Sequence, residues 1–341
     1  NSDSVMTMQV GVVGLGQMGI LHAAIANSVP MTKTVAICDS DSRLTKIAAK
    51  VAPSIVFYDN LTKFLESEHL DAVFVCTPAQ THLEVLSKIS KSTETKAVFV
   101  EKPIASNYSD ALRIVGGFPP REYLTMVGFQ KRYCGTFSKA KELLTRGALG
   151  DLLVFSGHHY VSENYGEGTN WKFKPDTGGV ALEFAPHLID MILWFFGTPK
   201  TVASVRKRMF SSQVEDYLHV QLEYRSGVIG QIDASWSMRN FRPGEFMLEI
   251  HGTNGTINVS DDRLIVHVDR DVPGVLEAGR LFIPRSKLDP TVPFLLANPE
   301  NVYQDVHFLN CVRSSQRPEP SFESAAEVNW MLERILEGQS I

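Results

Sequence analysis

The chain has 341 residues, 44% of them hydrophobic and 21% charged, enough apolar material for the cores of about two domains. Lys and Arg number 33 against 38 Asp and Glu, and the formal charge of −5 argues against nucleic acid or an anionic membrane surface as the main partner. No apolar run reaches the ~18 residues that a membrane span needs. The four cysteines, Cys38, Cys76, Cys134 and Cys311, are scattered and form no C-x-x-C pair, as expected of free thiols in a reducing cytoplasm.

The polar stretch 1–8 lacks the basic and apolar regions of a signal peptide and reads as a short lead-in. From there to about residue 120, strand and helix patterns alternate. Strand-like runs lie at 9–13, 34–39, 55–58, 72–76 and 97–100, and helical stretches at 20–28, 42–51, 61–66 and 82–91. Residues 110–120 read as one more helix closed by a Gly/Pro break, and 123–129 as a strand. Such alternation predicts an α/β fold with a doubly wound parallel sheet, a Rossmann domain over 8–121. After a helix at 137–146 the pattern changes. Long strands are expected at 152–158, 201–209, 217–224, 228–235, 246–251, 256–259 and 263–268. Arg225-Ser226-Gly227 and Thr253-Asn254-Gly255 supply hairpin turns. Residues 269–301 read as a long loop, and 302–313 and 324–336 as closing helices. The second domain, 122–338, is therefore expected to be α+β with a large, mostly antiparallel sheet.

The most informative stretch is Gly14-Leu15-Gly16-Gln17-Met18-Gly19, set between an apolar strand and a helix. Gly14 permits a tight turn, Gly16 lets a pyrophosphate approach the backbone, and Gly19 lets helix and strand pack closely. The helix start, with Gln17 and Met18, offers unpaired N–H groups to the phosphates. Asp39 ends the next strand twenty residues after Gly19, where a carboxylate accepts from a ribose hydroxyl. The spacing predicts a dinucleotide site. Asp39 favours NAD because it would repel a 2′-phosphate, while Arg43 keeps NADP open, since it could stack on adenine or meet that phosphate.

Ligands of doubly wound sheets bind beyond the carboxyl ends of the strands. That rule selects Thr77, Pro78 and His82 after the fourth strand as further cofactor contacts, and Glu101-Lys102-Pro103 after the fifth. A lysine there could donate to a substrate oxygen that gains or loses a proton; the plainer alternative is a solvated Glu-Lys pair. Gln130 and Tyr133 end another strand and are candidate substrate contacts, although the basic residues between them read as a solvated edge. The loop 158–174 carries Tyr160, Tyr165 and Trp171 and suits a substrate lid, with Trp171 as the substrate contact.

A second constellation interrupts an otherwise apolar run: Glu183, His187 and Asp190. Offsets of four and three put them on one stripe if the helix is continuous; a helix beginning at Pro186 would leave Glu183 outside it. Burying such groups is costly unless they are paired or used. Glu183 orienting His187, with His187 transferring a proton, is a plausible acid/base unit; a satisfied buried network is the alternative. A metal site built from Glu183, His187 and His158-His159 lacks a further ligand at a recognisable spacing, and no metal is expected.

Taken together, Gly14-x-Gly16-x-x-Gly19, Cys76-Thr77-Pro78 with His82, Glu101-Lys102-Pro103, Gly178-Gly179 followed by Glu183-x-x-x-His187-x-x-Asp190, and Gly252-Thr253-x-Gly255-Thr256 resemble the glucose-fructose oxidoreductase / inositol dehydrogenase / MocA family, from about residue 9 to 337. The resemblance implies a Rossmann domain followed by an α/β domain whose open sheet makes dimer or tetramer contacts. It implies NAD(P)-dependent oxidoreduction of sugars, cyclitols or nucleotide sugars. It also implies that the lysine matching Lys102 and the histidine matching His187 lie at the reacting carbon. Two positions depart from the family pattern: Glu183 stands where the family usually has Asp, and Ala79 where it usually has Asn after Thr-Pro.

The sequence thus leads to a cytoplasmic, homo-oligomeric NAD(P)-dependent oxidoreductase that moves hydride between nicotinamide and a carbinol or ketone carbon. Lys102 and His187 handle the proton and Glu183 supports them. Two alternatives remain at this level. One is an enzyme that keeps NAD bound as an internal redox catalyst, in glycoside cleavage or sugar-to-sugar transfer. The other is a non-catalytic NAD(P)-sensing regulator.

Overall fold

The computed structural model describes residues 7–92, 94–163, 165–169, 171–175, 178–292, 294 and 298–340. Most of the expected lead-in lies outside them. The chain divides into two compact units, 1–130 with 292–329, and 131–291 with 330–341.

The first unit opens with β1 (Met8–Val13), α1 (Gln17–Ser28), β2 (Thr32–Cys38), α2 (Ser42–Val51), β3 (Val56–Tyr58), α3 (Leu61–Ser67), β4 (Ala72–Val75), α4 (Ala79–Ser90), β5 (Ala97–Val100), α5 (Tyr108–Gly117) and β6 (Leu124–Val127). All six strands are parallel, in the order β3-β2-β1-β4-β5-β6. β4 and β5 are buried along their whole length, as expected of strands covered on both faces. The chain reverses its direction of winding between β1 and β4, the switch point where such sheets bind ligands. Helix starts are written locally. Asp41 accepts from the Arg43 amide, Asn60 from Lys63 and Asn107 from Asp110, each side chain satisfying an otherwise unpaired N–H.

The second unit contains α6 (Gly135–Thr145), β7 (Leu152–Tyr160), α7 (Val180–Glu183), α8 (Ala185–Phe196), β8 (Thr201–Lys207), β9 (Tyr217–Glu223), β10 (Ile229–Ser235), β11 (Glu245–Gly252), β12 (Gly255–Ser260), β13 (Arg263–Val268) and β14 (Gly279–Pro284). The chain then returns to the first unit with α9 (Pro299–Ser314) and most of α10 (Phe322–Leu336), and ends in β15 (Gln339–Ser340). The nine-stranded sheet runs β14-β13-β12-β11-β7-β10-β9-β8-β15. It is antiparallel except for the β7–β10 and β8–β15 pairs. Strand residues alternate: Leu218, Val220, Leu222, Ile232, Leu248 and Ile250 are buried, and their neighbours are largely half-exposed. α8 packs on β7 and β10, where Phe196 stacks on Phe155 at 3.8 Å between centroids.

The compact units differ from the expected domain limits at two places, and one expected loop contains a strand. The first compact unit reaches Gln130, beyond the expected limit at 121, because β6 pairs in register with β5 as the sixth parallel strand. Residues 292–329, expected within the second domain, count with the first, because α9 packs on α1. The expected loop 269–301 contains β14, which pairs with β13. As an edge strand β14 keeps Phe282 57% exposed, so it has no alternating pattern to announce it.

Candidate active site

In the first unit the glycine turn behaves as its spacing predicts. Gly14 has φ +103°, and a Cβ there would lie 2.8 Å from the Cys76 carbonyl oxygen. A Cβ on Gly19 would fall 1.9 Å from the Gly14 oxygen, so the strand and α1 meet with no space for a side chain. A Cβ on Gly16, in contrast, would meet nothing within 4 Å. The absent Cβ therefore leaves space beside the backbone, at a helix start with no side-chain cap and no acid in its first turn. The first amides of α1 have no partner within the helix. This turn fits a pyrophosphate. Gln17 is exposed; Met18 packs its side chain with Leu21, Ile25 and Val302, so it offers a ligand its backbone N–H.

Asp39 lies at the same edge. Its Oδ2 accepts from the Leu15 amide at 2.7 Å and its Oδ1 from the Asp41 amide at 2.8 Å. The carboxylate is thereby held beside the glycine turn, with acceptor capacity left for ribose hydroxyls. Arg43 does not join it. Its guanidinium pairs with Asp41, its own helix cap, and its side chain is 87% exposed.

The turn after β5 is clamped on two sides. The Lys102–Pro103 bond is cis. His82 is fully buried; its Nε2 lies 2.7 Å from the Thr77 oxygen, and its Nδ1 lies 3.1 Å from the oxygens of both Pro103 and Ile104. Burial pulls its pKa below the usual imidazole range, although carbonyls on both edges of the ring favour a second N–H. His82 thus ties the β4 turn to the β5 turn, and its expected direct contact with a cofactor gives way to this backbone role. Thr77 and Pro78 remain at the strand end, with Pro78 starting α4.

On the other side of that turn stands His22, which the sequence reading missed. It is completely buried on α1. Its Nδ1 lies 2.6 Å from Asp305 Oδ2 on α9 and its Nε2 2.9 Å from Glu101 Oε1. Burial alone would lower its pKa, but the two carboxylates outweigh that effect and push it up to about 10. Burial also raises the pKa of Asp305 and of the neighbouring Cys76 thiol. The remaining Glu101 oxygen, Oε2, accepts from the Lys102 amide at 3.2 Å.

In the second unit, Glu183 and His187 sit on two helices. α7 ends at Glu183, Phe184 caps both helices, and α8 starts with Pro186 in its first turn. The continuous stripe is therefore not formed; His187 lies in the first turn of α8 and Glu183 ends the preceding one. Both are half-buried. Gly179 has φ +93°, and a Cβ there would lie 2.4 Å from Glu215 Oε1. The Glu215 carboxylate, whose pKa is raised by burial, also accepts from the Ala181 amide. Glu215 thus seats the start of α7; lying in a polar loop far along the chain, it carries no local signal of that role. Asp190 is a structural partner: Arg132 makes two bonds to it, Nε to Oδ2 at 2.9 Å and Nη2 to Oδ1 at 2.6 Å.

Gln130 and Tyr133 fall on one 3-10 turn, Gln130–Tyr133. The basic pair between them is not a solvated edge, since Lys131 pairs with Asp261 and Arg132 with Asp190. His158 and His159 point to opposite faces of β7. His158 bonds Glu245, and His159 stacks on Phe184 at 3.6 Å. Among the described residues no group of three or more His, Cys, Asp or Glu could hold a metal ion. Asp176, Thr177 and the side chain of Trp171 lie outside the described residues. No helix among the described residues is long and apolar enough to cross a membrane.

Residues 8–129 match the model of the oxidoreductase family with an NAD-binding Rossmann fold, and residues 137–258 match the GFO/IDH/MocA C-terminal domain. Myo-inositol 2-dehydrogenase of Thermotoga maritima is 26% identical over 274 residues, 78% of this chain and 79% of that one. Inositol 2-dehydrogenase 3 of Saccharopolyspora erythraea is 30% identical over 267 residues, 75% and 74% of the two chains. A levoglucosan dehydrogenase solved with NADH and levoglucosan shares the fold, with a TM-score of 0.84 at 20% identity over 97% of this chain and 96% of that one. The glycine turn and these matches define an NAD-binding oxidoreductase. The chain belongs to the Gfo/Idh/MocA oxidoreductase family.

Proposed function

We propose that the protein is an NAD-dependent dehydrogenase or reductase of a sugar or cyclitol. The observation that carries the reading is the carboxyl edge of the parallel sheet, where the open backbone at Gly16, the Asp39 carboxylate and Lys102 follow the ends of β1, β2 and β5. Relatives named for inositol and levoglucosan support the substrate class. NAD, when bound, supplies the nicotinamide carbon that accepts or returns hydride. The amides at the start of α1 bind the pyrophosphate, and Asp39 accepts from the ribose. Oxidation of a carbinol releases one hydride and one proton. His187 takes the hydroxyl proton as general base, with Glu183 in the role of orienting its imidazole. Lys102 at the end of β5 is proposed to donate a hydrogen bond to a substrate oxygen and to stabilise charge on it. The half-exposed face of the nine-stranded sheet is proposed as the contact between copies.

The test is NADH absorbance with a panel of cyclitols, sugars and sugar nucleotides, using NAD and then NADP. Reduction of NAD by one substrate class supports the reading. NADH binding with no turnover on any member removes it, and favours a retained-cofactor enzyme or a regulator.

A further inference from the structure

The reading of Lys102 as a proton-handling group leaves unexplained why the residues behind it bury so much charge. Asp305 on α9 and His22 on α1 are both completely buried. Their bonds form one line: Asp305 Oδ2 to His22 Nδ1 at 2.6 Å, His22 Nε2 to Glu101 Oε1 at 2.9 Å, and Lys102 N to Glu101 Oε2 at 3.2 Å. The ring is also fixed by aromatic neighbours, Phe74 at 5.2 Å and Phe99 at 5.0 Å between centroids. Gly128 completes the cradle. A Cβ there would lie 3.0 Å from Glu101 Oε1 and 3.2 Å from its Cδ, so the absence of a side chain makes room for that carboxylate.

We propose that His22, Asp305 and Gly128 are positioning residues for Lys102. Asp305 fixes the imidazole, the imidazole fixes the Glu101 carboxylate, and Glu101 holds the Lys102 backbone amide. The direction in which Lys102 leaves the strand end is thereby set from inside the core. Asp305 comes from α9, so residues far along the chain complete the support of the β5 turn. This inference rests on the proposed role of Lys102, and its test separates the two.

The test compares wild type with Asp305→Asn and Gly128→Ala. Asp305→Asn keeps the volume and removes the charge; Gly128→Ala removes no ionisable group and instead crowds the Glu101 carboxylate. With an active substrate from the panel, kcat should fall about tenfold or more in Asp305→Asn and several-fold in Gly128→Ala, since small misplacement of a reacting group is costly. KM and the NADH dissociation constant should stay within about threefold, the pattern of a group needed only in the transition state. In the same proteins Lys102 is labelled with trinitrobenzenesulfonate and followed by peptide mass spectrometry, with the exposed Lys33 and Lys50 as internal controls. Its labelling rate should change by about threefold or more in both variants while the controls do not move. Unchanged kcat or unchanged Lys102 labelling overturns the proposal. So does a parallel loss of kcat and NADH affinity, which marks a merely structural role. If wild type turns over no substrate, the proposed function fails, and Lys102 labelling alone decides the positioning claim.

Discussion

Replacing Asp190 with Ala tests whether that residue belongs to the chemistry or to the framework. Asp190 is 1% exposed and its partner Arg132 11%, and the two bonds between them, 2.9 and 2.6 Å, have fork geometry. Arg132 also lies over the Trp194 ring at 5.6 Å. Without Asp190 the buried guanidinium loses both of these bonds. Such a loss costs about 3–5 kcal/mol, out of a total stability of about 5–15 kcal/mol. At roughly 2–4 °C per kcal/mol for units of this size, the cofactor-free protein should melt about 10 °C below wild type. The double variant Arg132→Leu/Asp190→Leu removes both charges and should recover most of that loss, because an apolar pair of similar volume can replace a buried ion pair. The assay is thermal unfolding followed by circular dichroism at neutral pH. A single variant melting within about 2 °C of wild type, or a double variant as unstable as the single, would refute the framework reading.

Four further outcomes are expected. Gly16→Ala should fold and melt like wild type, since its Cβ meets nothing, yet bind NADH at least about tenfold more weakly in a fluorescence titration. Asp39→Ala should weaken NAD and relatively favour NADP, measured as the ratio of the two dissociation constants; an unchanged ratio rejects the role of Asp39. Lys102→Ala and His187→Ala should each abolish most turnover and leave NADH binding nearly intact; wild-type turnover by His187→Ala across pH would reject its proton transfer. His22 is expected to give alkaline sensitivity: its folded pKa is raised from 6.5 to about 10, so its stabilisation is full below the unfolded value and is lost as pH rises through about 10. Urea unfolding at rising pH should show that decline in wild type and not in His22→Gln.

How much of this was legible depends on where the signal lies. The parallel sheet and the glycine turn could be read because each strand carries its own apolar run and each glycine has a local steric reason. The Glu183–His187 pair was visible as polar residues in an apolar stretch, and Pro186 signalled the helix start that separates them. The misses have a different physics. His22 and Asp305 lie 283 positions apart and meet only in three dimensions. Neither stands in a motif or spacing that singles it out along the chain. Glu215 and Gly128 were invisible because their importance is the space one fills and the other leaves. Arg132 read as solvated because its partner is also remote. Local chemistry can be inferred from spacing, whereas buried polar pairs between distant elements cannot.

That division bears on how the first unit holds its strand-end turns. Beyond the strands, backbone bonds continue from turn to turn: Gly14 N to Cys38 O, Cys76 N to Val13 O, Glu101 N to Val75 O and Gly128 N to Val100 O. The strand-end turns are therefore extensions of the sheet, with the precision of its register. Side chains then add what the ladder cannot supply. Asp39 joins the β2 end to the β1 turn, His82 joins the β4 turn to the β5 turn, and His22 with Asp305 braces the β5 turn from α1 and α9. A reacting lysine on a freely moving loop would spend part of its binding energy on being ordered. Around Lys102, the proposed reacting group, that ordering is completed when the chain folds, by His82, His22 and Asp305, whose ring and carboxylate atoms bond to the protein itself. Substitutions at His82, His22 or Asp305 should consequently act on rate more than on affinity, the opposite of substitutions at Gly16 or Asp39.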